Sequence, residues 1–275
     1  MKIGNRIFDV EQDCYIIGIL NVTPDSFSDG GRWNTMEKAL RHSEEMIREG
    51  AAILDVGGES TRPGHKKISV QEEIERVVPV ISQLKRNFDI PVSIDSYKSE
   101  VVEAALEAGA DMVNDIWGLK YDLKVADCIA RYQVPCCLMH QRRKAVYECF
   151  MEDMKQDLME SVEIAKRAGI TKEQVILDPG VGLGFGKTYV QNLMVIHRLE
   201  ELCRLGYPVL LATSRKSVIG LTLNLPTEER LEGTLVTTVL GVEKGASFIR
   251  VHDVKENLRA IRMAQAIIKE GRGKI

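Results

Sequence analysis

The sequence predicts an α/β fold, a single (β/α)8 TIM barrel with a short N-terminal hairpin. Short runs recur along the chain and are almost continuously apolar, as expected for parallel strands covered on both faces. A longer segment with helical spacing of apolar residues follows each run, and 275 residues is a usual length for such a barrel. The predicted strands are residues 15–22, 51–58, 91–96, 111–116, 135–140, 174–181, 208–214 and 247–252.

The helical segments between these strands follow from apolar residues three and four positions apart. The first of them, residues 35–50, has one apolar stripe and ends at Gly50, a favourable C-cap residue. The others show the same spacing over residues 70–88, 99–110, 123–133, 150–169, 189–206, 228–246 and 254–271.

The first residues of the chain predict a hairpin because a Gly4-Asn5 turn separates two short β-prone flanks. We expect this hairpin, residues 1–14, to cover the bottom of a barrel formed by residues 15–270. No linker or low-complexity stretch divides the chain, so one domain over residues 1–275 is expected. An open doubly wound sheet is the alternative, although no GxGxxG motif follows the first strand.

Composition limits the classes of function. The chain is 44% hydrophobic and 28% charged, with a net charge of −3, so neither a nucleic-acid partner nor a membrane is expected. The first 13 residues, MKIGNRIFDVEQD, are too charged for a signal peptide, and the expected location is the cytoplasm. The six cysteines contain no CxxC pair and are expected to be free thiols.

Polar residues follow the predicted strands at the end where a TIM barrel carries its active site. The opposite ends begin with residues such as Pro91, Pro135 and Pro208, without a comparable polar set. We therefore expect the strand-end residues to converge on one site. They are Asn21, Asp55, Glu59, Ser60, Thr61, Arg62, Asp95, Asn114, Asp115, Met139, His140, Asp178, Ser214, Arg215, Lys216, Arg250 and His252.

The residue types indicate two kinds of ligand group. A carboxylate such as Asp178 accepts two parallel N–H donors from an aminopyrimidinone edge, as it does from arginine. Arg250 and His252 share one face of the last strand, near a helix N-terminus, which suits an anion such as phosphate. Asn21 offers an oxygen to a hydrated Mg²⁺ ion that bridges phosphate oxygens. Each residue alone also has a structural interpretation, since Asp178 before Pro179 caps a turn equally well.

Seven segments resemble the successive signatures of the dihydropteroate synthase family, in order and from residue 21 to residue 254. Two long glycine-containing loops, residues 23–34 and 57–69, belong to the first two signatures and are candidates for lids. The family usually has DPGxGFGK, and here two residues are inserted. The segments are NVTPDSFSDGG, DVGGESTRPG, SIDSYK, VNDI, LDPGVGLGFGKT, SRKSVIG and RVHDV.

This resemblance implies a TIM-barrel transferase that joins 6-hydroxymethyl-7,8-dihydropterin diphosphate to p-aminobenzoate by an SN1-like reaction and is a target of sulfonamides. It implies Mg²⁺ as cofactor and a homodimer formed through outer helices. By motif position it implies a catalytic set of Asp95, Lys216, Arg250 and Asp29. It implies a pterin pocket of Asp95, Asn114, Asp178 and Lys216 with apolar contacts Met139 and Phe185, diphosphate contacts Arg250 and His252, the metal ligand Asn21, and a p-aminobenzoate region of Thr61, Arg62, Pro63, Phe27 and Ser214.

Three other functions remain open at the level of sequence. A corrinoid methyltransferase that binds a folate shares the pattern of Asp95, Asn114 and Asp178 but does not need the STRPG or RVHD elements. A Schiff-base aldolase would use Lys216, although such a lysine is usually activated by apolar surroundings. A pterin-binding protein without catalytic activity would keep the same residues.

Overall fold

The computed structural model describes residues 1–22, 32–59 and 67–271, and its central feature is a parallel β-barrel. A two-stranded antiparallel hairpin, β1 (Lys2–Ile3) and β2 (Arg6–Ile7), precedes the barrel. The barrel strands are β3 (Tyr15–Asn21), β4 (Ile53–Gly57), β5 (Val92–Asp95), β6 (Met112–Asp115), β7 (Cys136–Met139), β8 (Val175–Asp178), β9 (Leu210–Leu211) and β10 (Phe248–Val251).

The order of these strands confirms the barrel and excludes the open doubly wound sheet. Neighbours in the sheet run β8-β7-β6-β5-β4-β3-β10-β9, and every pair is parallel. A parallel bridge between Leu177 and Val209 then joins β8 to the segment entering β9 and completes the circle.

Helices surround the barrel and connect its strands. In the described part, no helix is both long enough and apolar enough to cross a membrane. The helices are α1 (Arg32–Glu49), α2 (Val70–Asn87), α3 (Ser99–Glu107), α4 (Lys124–Tyr132), α5 (Phe150–Ala168), α6 (Tyr189–His197), α7 (Glu200–Cys203), α8 (Ser217–Leu223), α9 (Leu231–Glu243) and α10 (Val254–Gly271), with 3₁₀ turns at Lys172–Gln174 and Thr227–Glu229.

Alternation along each strand divides the apolar residues into two cores. One core fills the barrel interior and includes Ile17, Cys137 and Phe248, whereas the other lies between the barrel and the helices and includes Leu20, Cys136 and Ile249. Because side chains of a strand alternate between faces, adjacent residues belong to different cores. All six cysteines are free thiols, as predicted.

The N-terminal hairpin covers the bottom of the barrel, as predicted. Ile3 and Phe8 are almost completely buried in the interior core. The Phe8 ring packs edge-on against Tyr15 at 4.9 Å between centroids and lies 5.9 Å from the Phe248 ring. An active site is therefore expected at the opposite end of the barrel, where the strands have their C-terminal ends.

Two helical regions differ from the prediction. The segment 189–206 is two helices, because the backbone bends at Arg198 (φ −108°, ψ 25°) where neither proline nor glycine occurs. Leu199 and Leu202 are fully buried after this bend, so packing decides it. Helix α8 was not predicted, since its seven residues SVIGLTL contain β-branched residues and a glycine.

Candidate active site

A polar layer lies above the apolar interior core of the barrel. On five of the strands or their continuations, the residue two positions after an interior apolar residue is polar, as Asp55 is after Ile53 and Arg250 is after Phe248. Strand alternation directs both members of such a pair into the barrel. The residues with this interior phase at the C-terminal ends are Asn21, Asp55, Asp95, Asn114, Met139, Asp178, Ser214, Arg250 and His252.

Arg250 is the centre of the charge network in this layer. Its Nε atom donates to Asp55 Oδ2 at 2.6 Å, and its Nη2 atom donates to Asp95 Oδ2 at 2.6 Å. Asn114 Nδ2 donates to the same Asp55 oxygen at 3.1 Å. All four side chains are largely buried, so these charge-assisted bonds hold the guanidinium in one orientation. The carboxylates beside it raise the pKa of Arg250, and the guanidinium stays charged.

The carboxylates of this network still have unused acceptors. Asp55 Oδ1 and Asp95 Oδ1 are buried and have no hydrogen-bond partner among the described residues. Burial raises the pKa of Asp95 to about 7, Arg250 opposes this shift, and the Asp55 charge adds to it. A buried carboxylate oxygen without a partner costs free energy, which a donor on a bound ligand recovers.

Asp178 and Lys216 form the other half of the layer. Asp178 Oδ1 accepts a bond of 2.7 Å from the Gly180 backbone N–H, and burial raises the pKa of this carboxyl while Lys216 lowers it. Lys216 Nζ donates to the Val181 carbonyl at 2.5 Å and lies 5.4 Å from the centre of the Phe185 ring. Burial lowers the pKa of Lys216 to about 8.

Glycine allows the segment after β8 to approach β7. Gly180 has φ 66°, and a Cβ atom there would lie 2.2 Å from the His140 carbonyl oxygen and 3.1 Å from Met139 Cγ. Any side chain at this position would therefore push the segment away from the strand. The segment brings Phe185 beside Lys216, despite the two inserted residues.

Asn21, at the end of β3, is in register with Gly57, which is in register with Asp95. A Cβ atom on Gly57 would lie 3.7 Å from Asn21 Oδ1 and 3.8 Å from Asp95 Oδ2, so glycine leaves a space between these oxygens. Uncharged and charged oxygen atoms of this kind suit a hydrated Mg²⁺ ion, which needs few protein ligands. No group of three or more His, Cys, Asp or Glu that could hold a metal occurs in the described part of the chain.

Ser214 and His252 form a pair at the ends of β9 and β10. Ser214 Oγ and His252 Nδ1 are 2.9 Å apart, and the His252 backbone N–H donates to Ser214 Oγ at 3.2 Å. The serine thereby orients the imidazole at the same end of the barrel as Arg250.

Three strand-end residues expected to join the site turn away from it, and that expectation was wrong for them. Asp115 accepts bonds from the backbone of Trp117 and Leu119 and so closes a turn. His140 lies 2.9 Å from Asp157 of α5, and Arg215 is paired with Asp253 through two bonds of 2.8 and 2.6 Å. Asp115 and His140 occupy strand positions whose side chains point outward, to the surrounding helices.

Sequence reasoning treated Asp55 as one strand-end residue among many and did not single out Lys187. The partner atoms of Asp55 on Arg250 and Asn114 are distant in the chain, so only its interior phase could have indicated it. Lys187 is 3% exposed, and only its place in the motif DPGVGLGFGK could have indicated from the sequence that it belongs to the site. Phe27, Asp29, Thr61, Arg62 and Pro63 lie outside the described residues.

Known proteins match this chain over nearly its whole length. The family model for pterin-binding enzymes matches residues 17–252. A dihydropteroate synthase from Clostridium beijerinckii is 57% identical over 98% of this chain and 100% of its own length. The crystal structure of dihydropteroate synthase from Clostridium difficile in the presence of pteroic acid superposes with a TM-score of 0.92 at 52% identity, covering 95% of this chain and 99% of that one.

A more distant structure has the same fold. Dihydropteroate synthase from Yersinia pestis, in a sulfonamide complex, superposes with a TM-score of 0.90 at 38% identity over 98% of this chain and 99% of that one. The buried Asp55–Arg250–Asp95 network, the match over nearly the whole barrel and the high identity lead to one assignment. The chain belongs to the dihydropteroate synthase family of pterin-binding enzymes.

Proposed function

We propose that this chain condenses 6-hydroxymethyl-7,8-dihydropterin diphosphate with p-aminobenzoate, giving 7,8-dihydropteroate and diphosphate. The observation that carries the proposal is the buried polar layer in which acceptors (Asp95, Asp178), an amide (Asn114) and cations (Lys216, Arg250) face one barrel mouth. The pteroic acid named for the Clostridium difficile structure contains both halves of the proposed product. The aldolase and methyltransferase alternatives are disfavoured by the relatives' name.

Pterin recognition uses the acceptors of the layer. Asp178 accepts two N–H groups of the aminopyrimidinone edge, in the fork geometry that an arginine would present. Asn114 and Lys216 meet the remaining ring nitrogen atoms and the carbonyl oxygen, and Met139 and Phe185 contact the ring faces. Asp95, with its unpartnered Oδ1 atom, accepts an N–H on the reduced side of the ring.

Diphosphate binding uses the cations. Arg250 and His252 bind the leaving group at the end of β10, and Ser214 keeps the imidazole oriented toward it. Asn21 and the oxygen-lined space beside Gly57 would hold Mg²⁺. When bound, this ion supplies positive charge that neutralises diphosphate oxygens.

The chemical step follows from these positions in an SN1-like manner. The bond between the pterin methylene carbon and the diphosphate oxygen breaks, and Arg250 stabilises the anion that leaves. The ring delocalises the positive charge that remains, and the Asp95 carboxylate stabilises that cation. The amine of p-aminobenzoate, already a nucleophile, forms the new C–N bond with the methylene carbon, and its nitrogen then loses one proton to water. The layer therefore supplies orientation in place of a strong base.

The p-aminobenzoate site is expected beside Lys216, and the inhibition by sulfonamides is expected there. Phe27, Thr61, Arg62, Pro63 and Ser214 are proposed for this region, with Asp29 as the acidic group of the first loop. The sulfonamide complex of the Yersinia pestis relative supports sensitivity to this class of drug.

The test is a coupled assay that measures dihydropteroate and diphosphate from the two substrates with Mg²⁺. We expect equal amounts of both products from the wild-type chain, and activity reduced about a hundredfold or more in Arg250→Met. The matched control is Arg204→Met, since Arg204 is an exposed arginine. Diphosphate without dihydropteroate, or full activity in Arg250→Met, would contradict the proposal.

We also propose a homodimer through outer helices. Helices α6, α8 and α9 contact one another, and each exposes large apolar residues. These residues are Val190, Leu193, Leu221, Leu223, Val236 and Val239. An exposed apolar patch of this kind favours association with a second copy.

The dimer is tested by sedimentation velocity. We expect Val236→Lys to shift the wild-type dimer toward a monomer. The control Leu123→Lys, on the N-cap of α4, changes a residue of similar exposure, 63% against 60%, and should leave the dimer intact.

The whole chain, residues 1–275, is proposed to act as one domain, because the hairpin packs into the barrel and α10 packs against β3 and α9. A cytoplasmic location is proposed because six cysteines without a disulfide suit a reducing compartment.

A further inference from the structure

Lys187 is a buried ammonium group that the proposed chemistry does not use. Its Nζ atom donates to the His140 carbonyl oxygen at 3.1 Å and lies 3.5 Å from the Phe185 carbonyl oxygen. Among the described residues, no carboxylate lies within ion-pair distance of Nζ. Burial of a lysine that has only carbonyl partners costs free energy. This cost suggests that Lys187 is kept at this position for function.

Charged and titratable groups around Lys187 come from β8, α5, the start of α8 and the segment after β7, where His140 also lies. The carboxylates Asp178 of β8 and Asp157 of α5 stabilise the positive charge of Lys187. The cations Lys216, at the start of α8, and Arg142 oppose it. Burial is the largest effect and lowers the pKa of Lys187 to about 7. Conversely, Lys187 is one of the groups that oppose the burial-induced rise in the pKa of Asp178.

The charged and polar groups that face Asp178 are few. Lys216 lowers the pKa of this carboxyl most, followed by the Gly180 N–H, Lys187 and Arg250. Lys216 is held beside Phe185 and bonds to the Val181 carbonyl oxygen, whereas Lys187 bonds to the His140 carbonyl oxygen at the end of β7. Two lysines held by different parts of the chain therefore stabilise the Asp178 carboxylate.

Lys187 also ties the segment 180–187 to the end of β7. Besides the Lys187 bond to His140, Tyr147 Oη donates to the Gly186 carbonyl at 2.8 Å. Gly186 has φ 68°, and a Cβ atom there would lie 2.2 Å from the Arg142 carbonyl oxygen, so the backbones are in close contact.

We propose that Lys187 is a positioning residue for pterin recognition, which holds the segment 180–187 against β7 and supplies positive charge near Asp178 without touching the substrate. This inference rests on the proposed pterin site. It predicts that Lys187 affects binding of the pterin substrate and does not affect binding of p-aminobenzoate.

The test compares Lys187→Met and Lys187→Gln with the wild type. Both remove the charge, and glutamine keeps an N–H donor for the His140 carbonyl. The matched control Tyr147→Phe removes the other tie to the segment and leaves the charge in place. Binding of 6-hydroxymethylpterin is measured by calorimetry across pH, and steady-state kinetics give a KM for each substrate.

We expect both neutral variants to bind pterin about tenfold more weakly below pH 7, where the Lys187 ammonium of the wild type is charged, because loss of that charge raises the pKa of the Asp178 carboxyl. The acid limb of pterin binding should move to higher pH in these variants and stay in place in Tyr147→Phe. Asp95 titrates in every variant, so the difference from wild type reports Asp178. The KM for p-aminobenzoate should change less than about twofold.

Several results would overturn the inference. An unshifted acid limb in Lys187→Gln, or equal losses for both substrates, would leave Lys187 with a purely structural role. If Lys187→Met does not fold, Lys187→Gln still decides the question, because it retains the bond to His140. Failure of the wild type to bind pterin would instead contradict the proposed function.

Discussion

At the scale of single residues, the site depends on carboxylates that are largely buried. Asp55 and Asp95 share Arg250, and Asp178 faces Lys216, so each acid has a cation beside it. Each of Asp55 and Asp95 bonds to Arg250 through Oδ2, and the buried Oδ1 atom of each has no hydrogen-bond partner among the described residues.

Asp178→Asn tests the recognition of the pterin edge. The amide NH₂ group would face a ring donor, and a mismatched buried pair of this kind costs about 1–3 kcal/mol. We expect pterin affinity, measured by calorimetry, to fall about tenfold or more, with little change in the melting temperature. Unchanged affinity would remove Asp178 from the pocket.

The pH dependence of kcat/KM for the pterin substrate should be bell-shaped and narrow. Activity needs ionised Asp95 and charged Lys216, so it rises as Asp95 loses its proton near pKa 7 and falls as Lys216 loses its proton near pKa 8. The profile of kcat/KM reports the free enzyme. Asp95→Asn should remove the acid limb from its residual activity. A flat wild-type profile across this range would contradict the assignment.

At the scale of elements, a buried ion network joins the two ends of the second long loop. Lys98 Nζ donates to Glu59 at 2.7 Å, to Glu73 at 2.6 Å and to the Ile68 carbonyl at 3.0 Å. Glu59 in turn accepts from the Ile68 backbone N–H at 3.2 Å and from Tyr97 Oη at 2.9 Å. One cation thus connects Glu59, two residues after β4, with Ile68, two residues before α2, and with Glu73 in the first turn of α2.

Lys98→Met should therefore destabilise the protein. It removes the cation that Glu59 and Glu73 share, and loss of one member of a buried pair costs about 3–5 kcal/mol. Urea unfolding measures the change. The exposed control Lys124→Met should alter the free energy of unfolding by less than about 0.5 kcal/mol. Adding Glu73→Gln to Lys98→Met should recover part of the loss, and a loss as small as the control's would contradict the network.

At the scale of the whole molecule, the two ends of the barrel have separate tasks. The bottom is closed by an aromatic cluster of Phe8, Tyr15 and Phe248, and the top carries the charged layer. Stability and chemistry can therefore be changed independently, because the interior core lies between them.

Phe8→Ala tests this separation. Removal of a buried phenyl ring costs about 3–5 kcal/mol in the free energy of unfolding, which chemical denaturation measures. The KM values for both substrates should stay close to those of the wild type below the unfolding temperature. A large change in the pterin KM with unchanged stability would show that the hairpin serves the site.

The sequence by itself determined the barrel and most of the site. Continuous apolar runs followed by helical periodicity predicted every barrel strand, since both faces of a parallel strand are buried. Because strands of a barrel end at the same mouth, their terminal residues Asp95, Asn114 and Asp178 could be grouped before their contacts were known. The motifs that carry the family resemblance supplied residues such as Lys216.

Only the tertiary structure decided which strand-end residues face the mouth. Asn114 and Asp115 are adjacent, yet one bonds to Asp55 inside the barrel and the other closes a turn outside it. Arg250 and Asp95 are 155 residues apart, and Lys98 and Glu59 are 39 apart. Periodicity along the chain carries no information on such pairs. The closure of the barrel brings them together. Burial in the low-dielectric interior then strengthens the interactions between their charges.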